Sequence, residues 1–392
     1  MALMGMMGWM VSVPALADTI DPFISAGVTH DDNLFRLSDD QLRQTANGAD
    51  TYRNVVGGLR FERPVGRQLF SGVADLSSMK FERNTQLDYV GKDLSGEWRW
   101  FLASHFDGHI GASYAQVLAP FADFHSDQRN LRVTRTRYAD GSWRFHPAWR
   151  WVTSYKQMHY TYDLPARRFD NRTEDTLTSG IDYLAASGST LGFQLRQLKG
   201  GYPYVQSFAP TFPASGYVQD EFKVNVVWLA TGSTQVLFLG GWVRRKQGAS
   251  ADRVDSGTNA RLIANWTPTG RVKLVGQAWR EYSAIDGSLI DSALTSGIST
   301  VATWDWSAKI QARADLKRET RTFNPYSGAG TLLASALFRD TTNTGSVGLA
   351  YKPLRKLTVN VSAFHEQRSG SVAAGTNSYR ANGGALSVTQ QF

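Results

Sequence analysis

In the stretch from Lys309 to Arg321, KIQARADLKRETR, apolar side chains alternate strictly with charged or polar ones as far as Lys317. The apolar positions are Ile310, Ala312, Ala314 and Leu316. A period of two residues predicts a β-strand whose two faces meet different surroundings. In a soluble sandwich the apolar face would form the core. In a membrane barrel it would meet lipid, and the charged face would line an aqueous lumen.

Leu357–Arg368 and Val55–Glu62 repeat this alternation. Eight short turn signals, about 40 residues apart, lie at 64–66, 103–104, 146–147, 187–188, 231–232, 268–270, 306–307 and 352–353. Eight turns that each join two strands, with one further strand at either end, predict 18 strands, or 16 if two weak segments are loops. The pattern indicates an all-β chain that forms a transmembrane antiparallel up-and-down β-barrel. Its turns would be short in the periplasm and its loops longer outside the cell.

Tryptophan favours the barrel over the sandwich. Nine of the 12 Trp lie within about seven residues of a short turn: Trp98, Trp100, Trp143, Trp149, Trp151, Trp228, Trp266, Trp304 and Trp306. Aromatic rings suit the boundary between lipid and water, so membrane barrels carry girdles of them. A soluble sandwich has no reason to collect Trp at one end of its strands. We therefore expect residues 18–392 to form a single outer-membrane barrel with both termini in the periplasm.

The two ends of the chain carry signals for export and assembly. Residues 1–17 are predicted to be a signal peptide, because an apolar region precedes Ala15-Leu16-Ala17, an A-x-A cleavage site. The basic n-region is missing, which indicates a start codon placed too far downstream. At the other end, Leu386, Val388 and Phe392 share one face of an alternating segment. We expect the terminal Phe392 to be the signal that the outer-membrane barrel assembly machinery reads.

The charge balance limits the classes of partner that the chain could bind. The chain has 42 Lys and Arg against 34 Asp and Glu, a net charge of +8, and no cysteine. A basic excess suits nucleic acid, an anionic membrane surface or an acidic polymer. No basic helix or nucleic-acid module is found, so nucleic acid is not expected as a partner.

The strand registers place seven cations on faces that would line the lumen: Arg60, Arg196, Lys309, Arg313, Lys317, Arg321 and Arg368. Arginine suits carboxylates and phosphates, so these residues predict a basic lumen, which would be the path of any acidic polymer that crosses the barrel. In the alternative interpretation, they pair with Asp315, Glu319 and Glu366 and stiffen the wall.

Motifs for catalysis, cofactors or metals are not found. His105 and His109 have the i, i+4 spacing of metal ligands on a helix, but they fall on a predicted strand and lack the Glu of a zinc-protease motif. Asp31-Asp32-Asn33 lacks the spaced acidic residues and the glycine of a calcium loop, so a polar turn is favoured. We expect no enzymatic activity, no cofactor and no metal.

Three stretches carry a resemblance to a known family. Asp21–Leu37 (DPFISAGVTHDDNLFRL), Arg167–Arg172 with Gly180–Tyr183, and Asn265–Arg271 (NWTPTGR) resemble the EpsL-type outer-membrane proteins of exopolysaccharide biosynthesis operons. The likeness spans the mature chain and rests on strand starts and turns. It implies a barrel in outer-membrane lipid that secretes an exopolysaccharide together with periplasmic and inner-membrane polysaccharide export machinery. The alternatives are a general or anion-preferring diffusion porin and a structural or adhesive barrel plugged by its loops.

Overall fold

The computed structural model describes residues 19–122, 126–204, 216–247, 254–283, 290–325, 339–371 and 375–392. The strands in chain order are β1 (Thr19–Asp31), β2 (Asp50–Val65), β3 (Gln68–Phe81), β4 (Tyr89–Leu102), β5 (Phe106–Leu118), β6 (Leu131–His146), β7 (Trp149–Tyr162), β8 (Arg172–Leu184), β9 (Thr190–Gly201), β10 (Gly216–Thr231), β11 (Thr234–Gln247), β12 (Val254–Thr269), β13 (Val272–Ser283), β14 (Ile290–Asp305), β15 (Ile310–Pro325), β16 (Arg339–Leu354), β17 (Leu357–Ser369) and β18 (Tyr379–Gln391). A short helix, α1 (Asp39–Gln44), follows β1, and 3-10 helices cover Thr85–Leu87 and Pro165–Asp170. Within these ranges, no helix is long and apolar enough to cross a membrane.

The strands form one closed sheet. Each strand pairs antiparallel with the next, and β1 pairs with β18, so no edge is left open. The closing register places Ala26 opposite Val388 and Val28 opposite Leu386. The predicted up-and-down barrel of 18 strands is confirmed, and the alternative of 16 strands is wrong. The predicted signal peptide, residues 1–17, lies outside the described residues.

The large apolar side chains point out of the barrel instead of forming a core. Ile298 on β14, Leu316 on β15 and Val347 on β16 are 62 %, 64 % and 62 % exposed on three neighbouring strands. Soluble proteins rarely expose apolar patches that extend over whole strands, whereas the lipid-facing side of a membrane barrel consists of them. The soluble sandwich is therefore excluded, and the apolar face of Lys309–Arg321 meets lipid as the barrel interpretation predicts.

The outer wall carries an aromatic girdle at the end of the barrel where the turns are short. Its exposed tryptophans are Trp98, Trp143, Trp149, Trp151, Trp228, Trp266, Trp304 and Trp306. Phe70 stacks on Trp98 with ring centroids 5.8 Å apart, and Phe106 stacks on Trp143 at 5.9 Å. These rings mark one boundary of the lipid, because indole and phenyl groups prefer the interface.

The chain ends beside its own first strand. The N–H of Phe392 donates to the carbonyl of Pro22 at 3.0 Å, and the Phe392 ring is 60 % exposed on the outer wall. The terminal aromatic residue thus lies at the seam where β18 closes on β1. Its role in recognition by the assembly machinery stays a prediction.

Candidate functional site

The seven predicted lumen cations separate into two groups. Six of them occupy inward positions, because they alternate with the exposed apolar residues of their strands: Arg60, Arg196, Arg313, Lys317, Arg321 and Arg368. Lys309 instead lies in the turn before β15, where its Nζ donates to the carbonyl of Pro353 at 3.4 Å. Lys309 therefore belongs to the rim of short turns and does not line the channel wall.

Acidic partners accompany five of the six inward cations. The closest nitrogen–oxygen distances are 2.7 Å for Arg196–Glu221, 2.7 Å for Arg313–Asp315, 2.9 Å for Lys317–Glu319, 2.5 Å for Arg321–Asp340 and 4.0 Å for Arg368–Asp340. The guanidinium of Arg60 lies over the ring of Phe23, 4.7 Å from its centroid. Pairing within the wall, the alternative raised from the sequence, is found for Asp315 and Glu319. Glu366 instead lies beside Arg36, and the other partners are Glu221 and Asp340.

The segment after β1 folds into the extracellular mouth. The Arg36 guanidinium lies 2.8 Å from Asp31 and 3.6 Å from Glu366 on β17, and all three side chains are buried. Burial would lower the pKa of Arg36, but the two carboxylates outweigh it and raise that pKa above its usual value, so the guanidinium stays charged. Asn33 Nδ2 donates to the carbonyl of Arg380 at 2.8 Å. These bonds hold the segment against β17 and β18.

Residues 119–122, at the start of the connection from β5 to β6, also fold into the mouth and contact the segment after β1. Phe121 meets Phe35 edge-on with ring centroids 5.0 Å apart, and Arg368 Nη1 donates to the carbonyl of Ala122 at 2.6 Å. A buried apolar cluster joins the two loops to the wall: Leu34, Phe35, Met79, Phe81, Leu87, Leu118 and Phe121. The two segments therefore narrow the extracellular mouth in the sector that runs from β17 to β5.

A second sector of the barrel, between β5 and β13, contains an open cavity of 690 Å³. Its wall carries hydroxyl, amide and charged groups: Asp107, Asp140, Ser142, Arg150, Ser154, Thr178, Asp182, Gln194, Arg196, Gln219, Lys223, Asn225, Asn259 and Glu281. Alternation along each strand turns these side chains inward while their apolar neighbours face lipid. Such a wall can form hydrogen bonds with a polar solute from several directions.

A shared carboxylate organises one side of this cavity. Glu221 lies 2.5 Å from Lys223 Nζ and 2.7 Å from Arg196 Nη1, and it also accepts a hydrogen bond from Gln219. Glu221 and Lys223 are both buried. Because two cations share one carboxylate, this group carries a net positive charge. On the neighbouring wall, the Arg150 guanidinium lies 2.6 Å from Asp182.

The predicted basic excess of the lumen is not found on the cavity wall. The lining has the cations Arg150, Arg196 and Lys223 and the acids Asp107, Asp140, Asp182 and Glu281. Glu281 in turn pairs with Arg261 at 2.6 Å. The lining is close to charge balance, so the net charge of +8 must reside elsewhere on the chain.

The described part of the chain contains no group of three His, Asp or Glu side chains that could hold a metal ion. His105 lies in the turn before β5, and His109 Nδ1 lies 2.9 Å from Asp140, so the pair singled out by its spacing does not converge on one site. The expectation that the protein is not an enzyme stays a prediction.

Sequence reasoning missed Gln219, Glu221 and Lys223. Strand β10 has apolar residues on both faces, so its register was not evident from alternation. The sequence signal that could have fixed this register is the pair Phe222 and Trp228. In the structure, both side chains lie on the outer wall, 49 % and 55 % exposed. Two large aromatic residues six positions apart fix the even-numbered face as outward, and the odd-numbered polar residues then line the cavity.

Solved structures show the same architecture. The chain is similar to Pseudomonas aeruginosa OccK2 (OpdF), with a TM-score of 0.50 and 9% identity over 96% of this chain and 97% of that one. It is also similar to Acinetobacter baumannii OccAB3, with a TM-score of 0.49 and 11% identity over 96% and 99%. The sequence matches no protein-family profile and no curated protein. At such low identities the likeness concerns the fold alone.

The fold defines the class of protein. A closed barrel satisfies its backbone hydrogen bonds between strands, which is the condition for a sheet to span a lipid bilayer. The apolar outer band, the tryptophan girdle and the alternation of short turns with longer connections are the features of outer-membrane barrels. The chain is an 18-stranded bacterial outer-membrane β-barrel of the porin fold, with its short turns on the periplasmic side.

Proposed function

We propose that the protein is an outer-membrane diffusion channel for small, hydroxyl-rich polar solutes. The observation that carries this proposal is the 690 Å³ cavity with its polar wall, beside a mouth narrowed by two inward-folded loops. The cavity is within the size range of sites that hold small molecules. Hydroxyl and amide groups replace the hydration of a sugar-like solute without binding it tightly, as conduction requires.

The charge of the cavity wall argues against a strong anion preference. Rings of Arg or Lys select anions, but Arg150, Arg196 and Lys223 lie among four acids here. Asp107 is bonded to Ser142 at 2.9 Å, so its negative charge is not cancelled by a cation at that contact. We therefore expect weak ion selectivity and passage of neutral sugars.

The test compares two adjacent substitutions on β7. Both residues border the cavity, but the side chain of Ser154 points into the lumen, whereas Thr153 shares the outward face of β7 with the exposed Trp151 and Tyr155. Both lose a small hydroxyl side chain when changed to tryptophan, but only Ser154→Trp places an indole in the path. We expect Ser154→Trp to slow the swelling of proteoliposomes in a neutral monosaccharide at least about threefold. Thr153→Trp should swell like the unmodified protein.

Two results would contradict the proposal. The first is uptake of a neutral monosaccharide by proteoliposomes with the unmodified protein at no more than the rate of empty liposomes. Alternatively, the two tryptophan variants could slow uptake equally, which would mean that solute does not pass the Ser154 side of the wall. Heat-modifiable migration on gels establishes beforehand that both variants are folded barrels.

Secretion of an exopolysaccharide is the second candidate, supported by the resemblance to the EpsL-type proteins. The stretch Asp21–Leu37 that carries part of this resemblance also builds the Asp31–Arg36 network at the mouth. A hydroxyl-binding wall would suit a sugar polymer as well as a free sugar. Deletion of the gene should then leave polymer in the periplasm and reduce it at the cell surface. An unchanged amount of polymer at the cell surface would reject secretion and leave the diffusion channel as the proposed function.

A further inference from the structure

The outer wall shows a change of chemistry at a constant distance from the short turns. On β15, the outward positions Ile310, Ala312, Ala314 and Leu316 are followed by Arg318. On β13, four apolar or small outward residues are likewise followed by Arg280, and on β11 four are followed by Arg244. Eight residues of a tilted strand rise about 20 Å, which is close to the height of the apolar band of such barrels. The cations therefore stand where the hydrocarbon ends on the extracellular side.

Other strands carry cations in the same zone. The exposed outward positions near the long connections include Arg53, Lys80, Lys92, Arg135, Arg137, Lys199, Arg244, Lys246, Arg280, Arg318, Arg339 and Arg380. Within the described strands, the acids on this zone are Asp175 and Asp220, and flanking acids pair with two cations, Arg53–Glu82 and Lys80–Asp88. The basic excess missing from the cavity is therefore found in a cationic belt on the outside of the barrel.

The densest uncompensated part of the belt comprises Lys92 on β4 with Arg135 and Arg137 on β6. Arg135 lies over the ring of Tyr114 on the intervening strand, 5.7 Å from its centroid. The strand pairings place Lys92 opposite Gln116, and Arg135 opposite both Tyr114 and His159. Because Lys92 is level with Val133 on β6, strand spacing puts Arg135 about 12 Å and Arg137 about 17 Å from Lys92, with the two arginines about 7 Å apart. None of the three has an ion-pair partner among the described residues.

Three cations on a lipid-facing wall need anions from outside the chain. At the membrane boundary, long basic side chains reach the headgroup layer, where anionic headgroups supply counter-charges, and the arginine fork fits phosphate well. Clusters of basic residues beside the hydrocarbon recognise phosphorylated headgroups elsewhere in membranes. The neighbouring Gln116 and His159 can add hydrogen bonds to such a headgroup.

We propose that Lys92, Arg135 and Arg137 form a binding site for the phosphate groups of an anionic lipid in the outer leaflet. The lipid chains lie against the apolar band below the site, and the phosphates bridge β4 to β6. The site lies on the opposite side of the wall from the channel, so it is independent of the solute that the lumen conducts. It anchors the barrel at a fixed depth in an outer leaflet whose headgroups carry phosphate.

The experiment measures lipid binding to the purified full-length barrel in a neutral detergent by native mass spectrometry. The probe is bis-phosphorylated lipid A, and the comparison probes are enzymatically dephosphorylated lipid A and inorganic phosphate. The test variant combines Lys92→Gln, Arg135→Gln and Arg137→Gln. The matched control removes the same charges, two Arg and one Lys, from the short-turn rim through Arg271→Gln, Arg355→Gln and Lys356→Gln, three exposed residues.

We expect the test variant to lose at least about tenfold in affinity for bis-phosphorylated lipid A. The rim variant should bind within about twofold of the unmodified protein, and dephosphorylated lipid A should bind weakly to all three. Equal affinity of test and unmodified proteins would overturn the proposal, and so would an equal loss in the rim variant, which would indicate unspecific attraction. Full displacement of the lipid by equimolar inorganic phosphate would show an anion site without lipid recognition. Tryptophan emission and heat-modifiable migration verify folding.

Discussion

Replacement of Ala314 by arginine tests the assignment of the two faces of the wall most directly. Ala314 points outward on β15, opposite Ala302 on β14 and Val347 on β16. It is the third of the four apolar outward positions that precede Arg318, so it lies near the middle of the apolar band. An arginine side chain at this depth would have no ion-pair partner, and its charged group would be removed from water.

The expected cost follows from this depth. Arginine on the lipid face near the midplane of a barrel costs about 2–4 kcal/mol, and each 1.36 kcal/mol is a factor of ten, so the folding equilibrium constant should fall roughly 30- to 1000-fold. The matched control is Ala115→Arg, the same change on an inward position. Ala115 lies opposite Asp93 across the β4–β5 pair, so a new guanidinium there meets water and a carboxylate. We expect that variant to change the free energy of unfolding by less than about 1 kcal/mol.

The measurement is unfolding by guanidinium chloride from lipid vesicles, followed by tryptophan emission. The difference between the two variants decides the outcome, because both gain the same side chain. An equal loss of stability in both, or a larger loss in Ala115→Arg, would refute the assignment of lipid and lumen faces. A loss confined to Ala314→Arg would support it.

Three further outcomes are expected. Deletion of Phe392 should leave unfolded protein in the periplasm, and normal heat-modifiable migration at full yield would reject its role in assembly. Arg36→Met should release the mouth loop, because breaking a buried ion pair costs about 3–5 kcal/mol; proteolysis of that loop should accelerate, while Arg43→Met in an exposed pair should leave it unchanged. Asp107→Asn with Asp140→Asn should shift single-channel reversal potentials towards anion preference, and an unchanged potential would place these carboxylates outside the ion path.

The strand pattern allowed the barrel, the strand number and both faces of the wall to be predicted. Alternation is a local property, so Ile310 to Leu316 already shows which side of β15 meets lipid. The turn signals count the strands because each short turn joins two neighbours. Where alternation fails, as in β10, the register of Glu221 and Lys223 could not be predicted, although exposed Phe222 and Trp228 define it in the structure.

Contacts between distant parts of the chain were decided by the tertiary structure alone. Arg36 meets Glu366, and Arg368 bonds to Ala122, across separations that no local period encodes. Arg313 pairs with Asp315 on its own strand, but the partners of Arg196 and Arg321 depend on which residue the neighbouring strand places opposite.

The location of the net positive charge has the same origin. The sequence determines a charge of +8, a strand period of two and the number of strands, because composition and alternation are read residue by residue. Several strands supply only one or two outward cations, and no single strand reveals a belt. The belt exists only once closure of the barrel brings Lys92, Arg135 and their counterparts to one height. In the lumen, pairs between neighbouring strands, such as Arg196–Glu221, add to the pairs within a strand and bring the wall close to charge balance. Register and closure, which are properties of the whole sheet, decide both.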